Sequence, residues 1–297
     1  MSELGDKVVK AIRDKGEKLD GEMSFFDHLS ALRGHLVRAA LAILFFAILA
    51  FSFYDRIFDS VIMAPAKVDF ITYRWMCDFG DLMHSINSYF SAKDFCVEKI
   101  QVSLINTELA GQFTLQLDSS LMIGLVFGIP YLLYELWKFI KPALHEKERK
   151  AASGFVFYAS FLFLAGVCFG YFIVTPLSVK FLSGYVVSNS IQNLFSIDSY
   201  ISSISTLTLA SGLVFELPIL VYILANLGIL TPKFMRKHRR YAIIIILIIA
   251  AIVTPTPDAL TMSVVALPLL LLYELSISVA GSVEKRKRKK AELEGLI

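Results

Sequence analysis

The chain has 297 residues, 56% of them hydrophobic, with 24 Phe and 12 Tyr. Ordinary soluble domains are roughly 45–50% apolar even with Gly counted, so the excess has to face lipid. The 29 Lys and Arg against 26 Asp and Glu leave a formal charge of only +3. The cations are clustered and do not run along one stripe, which excludes a phosphate-reading surface and any nucleic-acid partner.

In chain order, Met1 to Glu22 is polar and mixed in charge, with no small-residue cleavage pattern after the first apolar run; that run is read as a retained anchor and not a secretory signal. Apolar windows follow at 35–54, 117–138, 154–175, 201–226, 241–254 and 259–281. About 20 apolar residues are needed to cross ~30 Å of hydrocarbon. The fifth window has only about 14, a length more usual for a buried or interfacial helix. It still counts as a span: Arg236 to Arg240 precede it, Thr254-Pro255-Thr256-Pro257-Asp258 follow, and the next run must return to the basic tail. So short a span implies local bilayer thinning or tilted neighbours.

Of the 29 basic residues, 23 fall in four clusters: Lys7 to Arg38, Lys138 to Lys150, Lys233 to Arg240 and Lys285 to Lys290. By the positive-inside rule both termini and the loops 139–152 and 231–240 are cytoplasmic, and 55–116 is the first extracytoplasmic loop. The expectation is an all-α integral membrane protein of six transmembrane helices, divided into a head 1–34, a membrane domain 35–281 and a basic tail 282–297. Pro130, Pro176, Pro218 and Pro268 interrupt or end four apolar stretches, which predicts bent helices around a shared concavity. No internal repeat and no long Gly/Ser linker divides the chain.

Three carboxylates lie within apolar stretches, where a charge near the bilayer centre costs roughly 2.5–3.5 kcal/mol. Glu135, beside Tyr134 and Trp137, reads as an interfacial belt residue. Glu274 reads equally as belt residue or bundle contact, and Glu216 is the one stranded deep in its span, a proton site or partner contact, with a structural inter-helix hydrogen bond as the alternative. Cys77 and Cys96 share the long outer connection and are a disulfide candidate, with two unpaired thiols as the alternative, whereas Cys168 reads as a small buried hydrophobe. Enzyme signatures are missing: His145-Glu146-Lys147-Glu148 has Arg149 where a zinc protease needs a second His, and no Walker loop is present. No cofactor, metal or catalytic residue is expected.

Specific strings narrow this further. Ser24-Phe25-Phe26-Asp27-His28-Leu29-Ser30-Ala31-Leu32-Arg33 resembles the amino-terminal signature of the TatC family, signal-peptide receptor subunits of the twin-arginine protein translocase. Pro130 to Leu144 followed by Glu148-Arg149, Phe215-Glu216-Leu217-Pro218 with Leu227-Gly228-Ile229, Thr254 to Asp258, Ala266-Leu267-Pro268 and Leu272-Tyr273-Glu274 are similar to that family in the same order. The resemblance implies a receptor in a bacterial cytoplasmic (inner) membrane that binds twin-arginine signal peptides and recruits TatA/TatB-type single-span subunits. It also implies movement of folded proteins driven by the proton motive force, and self-association. The implied peptide-binding residues are Asp27, Leu29, Arg33, Phe139, Pro142, Glu148 and Arg149; Pro65, Glu216 and Asp258 match partner or proton-linked positions. Carboxylates suit this task, since a guanidinium pair takes bidentate, charge-assisted bonds. Three positions depart from the family pattern: Ala31 stands for a usual glutamate, Glu135 for a common glutamine and Met262 for a frequent glutamine. Asp27, four residues before Ala31 and on the same helix face, is the expected substitute, with Glu22 also near. The competing class is a proton-coupled small-solute transporter, but such proteins show two related halves, and none is visible here.

Overall fold

The computed structural model describes residues 25–86, 96, 103–141, 154–188, 190, 193–254 and 259–293. Helix α1 (Phe25–Ser52) starts within the expected head, so residues 25–34 are one rod with the first span. Short turns at Tyr54–Ile57, Phe58–Ile62 and Ala64–Ala66 lead to α2 (Ile71–Ile86), and strand β1 (Ser103–Ile105) precedes α3 (Gly111–Ile140). The third apolar run is α4 (Phe155–Phe169), a wide π-type turn at Gly170–Val174, and α5 (Thr175–Gly184). Strand β2 (Leu194–Ser196) leads into α6 (Ile197–Val214) and α7 (Leu217–Asn226). Then come α8 (Pro232–Lys237), α9 (Arg239–Val253) and α10 (Ala259–Leu293).

Among the described residues, five helical rods are long and apolar enough to cross a membrane: Ser30–Ser52, Gly111–Ile140, Phe155–Gly184, Ile197–Asn226 and Thr261–Lys289. The fifth apolar run, α9, has only 15 residues. It lies antiparallel on α10, since Ile246 and Ala250 pack with Val265, Ala266 and Leu269 while Arg239 reaches Glu274 at 2.7 Å. Helix α10 continues through the basic stretch to Leu293. One feature departs from the all-α expectation: β1 and β2 form a parallel pair, Ser103 opposite Leu194 and Ile105 opposite Ser196. These segments leave the helices just before α3 and α6, and their free backbone groups find partners in each other.

Glycine lets the rods approach closely. A Cβ at Gly124 would meet the Cβ of Ala47 at 2.8 Å, and one at Gly128 would meet the Ile43 backbone at 2.9 Å, so small residues four apart seat α3 on α1. Two of the four prolines mark irregular turns, while Pro130 and Pro268 lie inside continuous helices. Pro176 has no N–H to give the carbonyl four residues back, and the Thr72 hydroxyl donates to that Phe172 carbonyl instead, where the rod widens into its π turn. Pro218 opens α7 just after the rod breaks at Phe215-Glu216. Gly228, at φ 76°, closes α7: Ile229 N–H donates to Leu224 O at 2.9 Å and Gly228 N–H to Ala225 O at 3.1 Å, a Schellman ending that only a left-handed residue permits.

Candidate functional site

At the end of the bundle that carries Lys138, Arg239 and the tail cations, α1 meets α3 around one carboxylate. Glu135 is 1% exposed, enclosed between the helices and not in a headgroup belt with Trp137. The belt reading fails because Trp137 itself turns inward, stacked on Phe155 at 4.3 Å. Glu135 Oε2 accepts from His35 Nδ1 at 2.6 Å and from Arg38 Nε and Nη2 at 3.2 and 3.1 Å. Its Oε1 accepts the Tyr131 hydroxyl at 2.9 Å, with Lys138 Nζ at 3.9 Å. An ionised carboxylate only accepts, so His35 carries its proton on Nδ1. The 2.9 Å approach of Arg38 Nη2 to that nitrogen is then a meeting of two donors that the carboxylate beneath them holds together.

His35 also sets its ring edge against Phe139, centroids 6.1 Å apart. The residues expected to read a signal peptide gather around this junction in part. Phe139 is half-buried on α3 and Arg33 is exposed on α1. Asp27 and Leu29 lie on the first turns of α1, with their side chains outside the described residues; Pro142, Glu148 and Arg149 lie outside them altogether. His35, Arg38 and Tyr131 were not singled out in the sequence. The signal was present, His35 and Arg38 three apart on one helix and Tyr131 and Glu135 four apart on another, but nothing in either pattern paired the two helices.

Glu216 sits at the break between α6 and α7, and both its carboxyl oxygens are shielded from solvent with no hydrogen-bond partner among the described residues. Glu135 is saturated by donors and can act only as a clamp; Glu216 still has its full hydrogen-bonding capacity to offer. Glu274, by contrast, is half-exposed and paired with Arg239.

At the opposite end, Pro65 is fully buried and three tyrosines tie its turn to the bundle. The Tyr73 hydroxyl lies 2.9 Å from Pro65 O and 3.0 Å from Pro176 O, its single proton shared between them. Burial raises the Tyr73 pKa well above the ordinary tyrosine value, so it remains a donor. Tyr171 donates to Val61 O at 2.5 Å and Tyr200 to Ile62 O at 3.0 Å. Cys77 and Cys96 are joined by a disulfide. Cys168 is exposed on the outward face of α4, contrary to its reading as a buried hydrophobe, because Phe163 and Gly166 occupy the inward face. Asp258 lies outside the described residues.

Apolar rods of membrane-spanning length, a polar clamp at one end and a lone carboxyl midway define a multi-pass helical membrane protein. Comparison with known proteins identifies its kind. The sequence profile of the Sec-independent protein translocase protein (TatC) family matches residues 27–268. The chain is 36% identical over 241 residues to the Sec-independent protein translocase protein TatC of Blattabacterium sp. subsp. Periplaneta americana (strain BPLAN), covering 81% of this chain and 88% of that one. It is 34% identical over 237 residues to the TatC of Deinococcus radiodurans, covering 80% and 78%. Crystal structures of the twin arginine translocase receptor TatC, one of them in DDM, superpose with TM-scores of 0.62 and 0.63 at 31% and 32% identity. They cover 86% and 85% of this chain and 99% of each crystallised chain. The chain belongs to the TatC family: it is a receptor subunit of the twin-arginine translocase, a protein-transport component and not an enzyme.

Proposed function

We propose that this receptor binds paired-arginine signal peptides in a groove between the amino-terminal part of α1 and the loop that follows α3, with Glu148 contacting the arginines and Asp27 supporting it. The Glu135 clamp is the observation that supports this: through His35, Arg38 and the Phe139 ring it makes the start of α1 and the end of α3 one unit. In the same reading Leu29, Arg33, Phe139, Pro142 and Arg149 contribute to peptide recognition. A charge-assisted hydrogen bond is worth roughly 1.5–3 kcal/mol, so Glu148→Gln weakens binding of an Arg-Arg peptide about tenfold to a hundredfold, and Glu148→Ala does little more. Affinity for Arg-Arg and Lys-Lys peptides measures this; wild-type binding by Glu148→Gln would remove the proposed groove.

In this reading α9 is a sixth, short span, and both termini and the loops at 139–152 and 231–240 face the cytoplasm of a bacterial inner membrane. The support is the clustering of 23 of the 29 cations. An impermeant thiol reagent that labels a cysteine placed at 145 or 236 from outside intact cells would reverse the topology. Glu216, with Pro65 and Asp258, serves recruitment of TatA/TatB-type single-span subunits or the proton-linked step that moves folded cargo; its unpartnered carboxyl supports that role. The Cys77–Cys96 bond steadies the outer loop alone, and replacing both residues with Ser leaves peptide binding intact.

A further inference from the structure

At the basic end a cavity of about 330 Å³ opens between α4, α7 and α10, lined by Tyr158, Leu162, Ile219, Tyr222 and Val279, with Arg286 among its lining residues. That volume is at the low end of the range for small-molecule sites. The lining is apolar and aromatic apart from the tyrosine hydroxyls and one cation, which is the chemistry of a chain with a charged head. Its depth agrees. From Leu275, which lines the inner part, to Arg286 the helix rises about 16 Å, roughly one leaflet of a ~30 Å hydrocarbon core.

Two of the neighbouring cations are engaged elsewhere. Lys287 caps the end of α7, donating to Ala225 O at 3.3 Å and to Asn226 O, and Arg288 pairs with Glu292 at 3.2 Å. Among the described residues nothing hydrogen-bonds or ion-pairs with Arg286, which stands exposed beside the apolar slot. An unpaired guanidinium bonds a phosphate well, and basic pockets between membrane helices suit anionic lipid headgroups.

We propose that this cavity is a binding site for one anionic phospholipid, an acyl chain between α4, α7 and α10 and the phosphate on Arg286. The site is separate from the proposed peptide groove and its lipid readout does not depend on it. Native mass spectrometry of the full-length protein, loaded with phosphatidylglycerol or with phosphatidylcholine of the same acyl chains, tests the idea. Wild type retains one phosphatidylglycerol about fivefold in preference to phosphatidylcholine, the difference one surface cation typically makes. Arg286→Gln removes the preference and leaves the thermal midpoint unchanged, as expected for an exposed side chain. Val279→Trp fills the slot and lowers retention of both lipids, whereas Lys289→Gln, on the same basic stretch but off the cavity, changes neither. Equal retention of the two lipids by wild type, or an Arg286→Gln variant that keeps the preference, would sink the site. So would a Lys289→Gln loss as large as that of Arg286→Gln, which would mark a diffuse basic surface. Unchanged lipid retention in Val279→Trp together with weakened twin-arginine peptide binding would give the cavity to cargo and overturn the lipid assignment.

Discussion

Glu135 and Glu216 both lie in membrane-spanning rods, but their surroundings are opposite. Glu135 receives hydrogen bonds from His35, Arg38 and Tyr131, drawn from two helices, whereas Glu216 receives none among the described residues. A saturated carboxylate joins what supplies its donors and has little left to offer a ligand. An unsatisfied one destabilises its site until something arrives to pair with it. The first position is therefore architectural and the second is available to a partner, although each is one acidic residue in an apolar string.

The largest effect follows from breaking the satisfied site. Glu135→Leu removes the acceptor that His35, Arg38 and Tyr131 share, and because Arg38 is half-exposed and can turn to water the loss is about 1–3 kcal/mol. We expect a lower thermal midpoint for the purified protein in detergent, with twin-arginine peptide binding weakened as the start of α1 loosens from the end of α3. In a double-mutant cycle of Glu135→Gln with Arg38→Gln, the coupling should reach about 0.5–3 kcal/mol, the range for residues in one network. Strict additivity would show the pair to be incidental.

The smallest stability effect belongs to Glu216. Glu216→Gln breaks no hydrogen bond within the described chain, so the thermal midpoint should stay near wild type, a change of about 0.5 kcal/mol or less. Peptide binding should persist while transport, or recruitment of single-span subunits, is lost. If the variant transports at the wild-type rate, Glu216 is a structural polar contact and the contrast with Glu135 loses its functional meaning.

Much of the architecture was legible because the bilayer imposes a length and a charge rule on any chain that crosses it. Apolar runs located the rods Ser30–Ser52 and Thr261–Lys289, although the first starts five residues before the expected 35 and the last runs eight past the expected 281; Pro218 and Pro176 marked the break at Glu216 and the wide turn, whereas Pro130 and Pro268 marked none. The strings around Glu135, Glu216 and Asp258 were enough to recognise the family. Periodicity and composition act within one segment, however, and carry no information about which segments touch. That is why Glu135 was read as a belt residue: its spacing from Trp137 is local, but the His35 and Arg38 that enclose it arrive from a helix about a hundred residues away. The same holds for Tyr73, Tyr171 and Tyr200 on the backbone carbonyls near Pro65, for the pairing of β1 with β2, and for Arg286 beside a slot made by three helices. By itself the sequence determined the apolar rods, the placement of charge and the kind of protein, because lipid and water sort residues one segment at a time. Only the tertiary structure decided which buried carboxylate is satisfied and which has no hydrogen-bond partner among the described residues, because a hydrogen bond needs two groups within about 3 Å and packing alone brings distant helices that close.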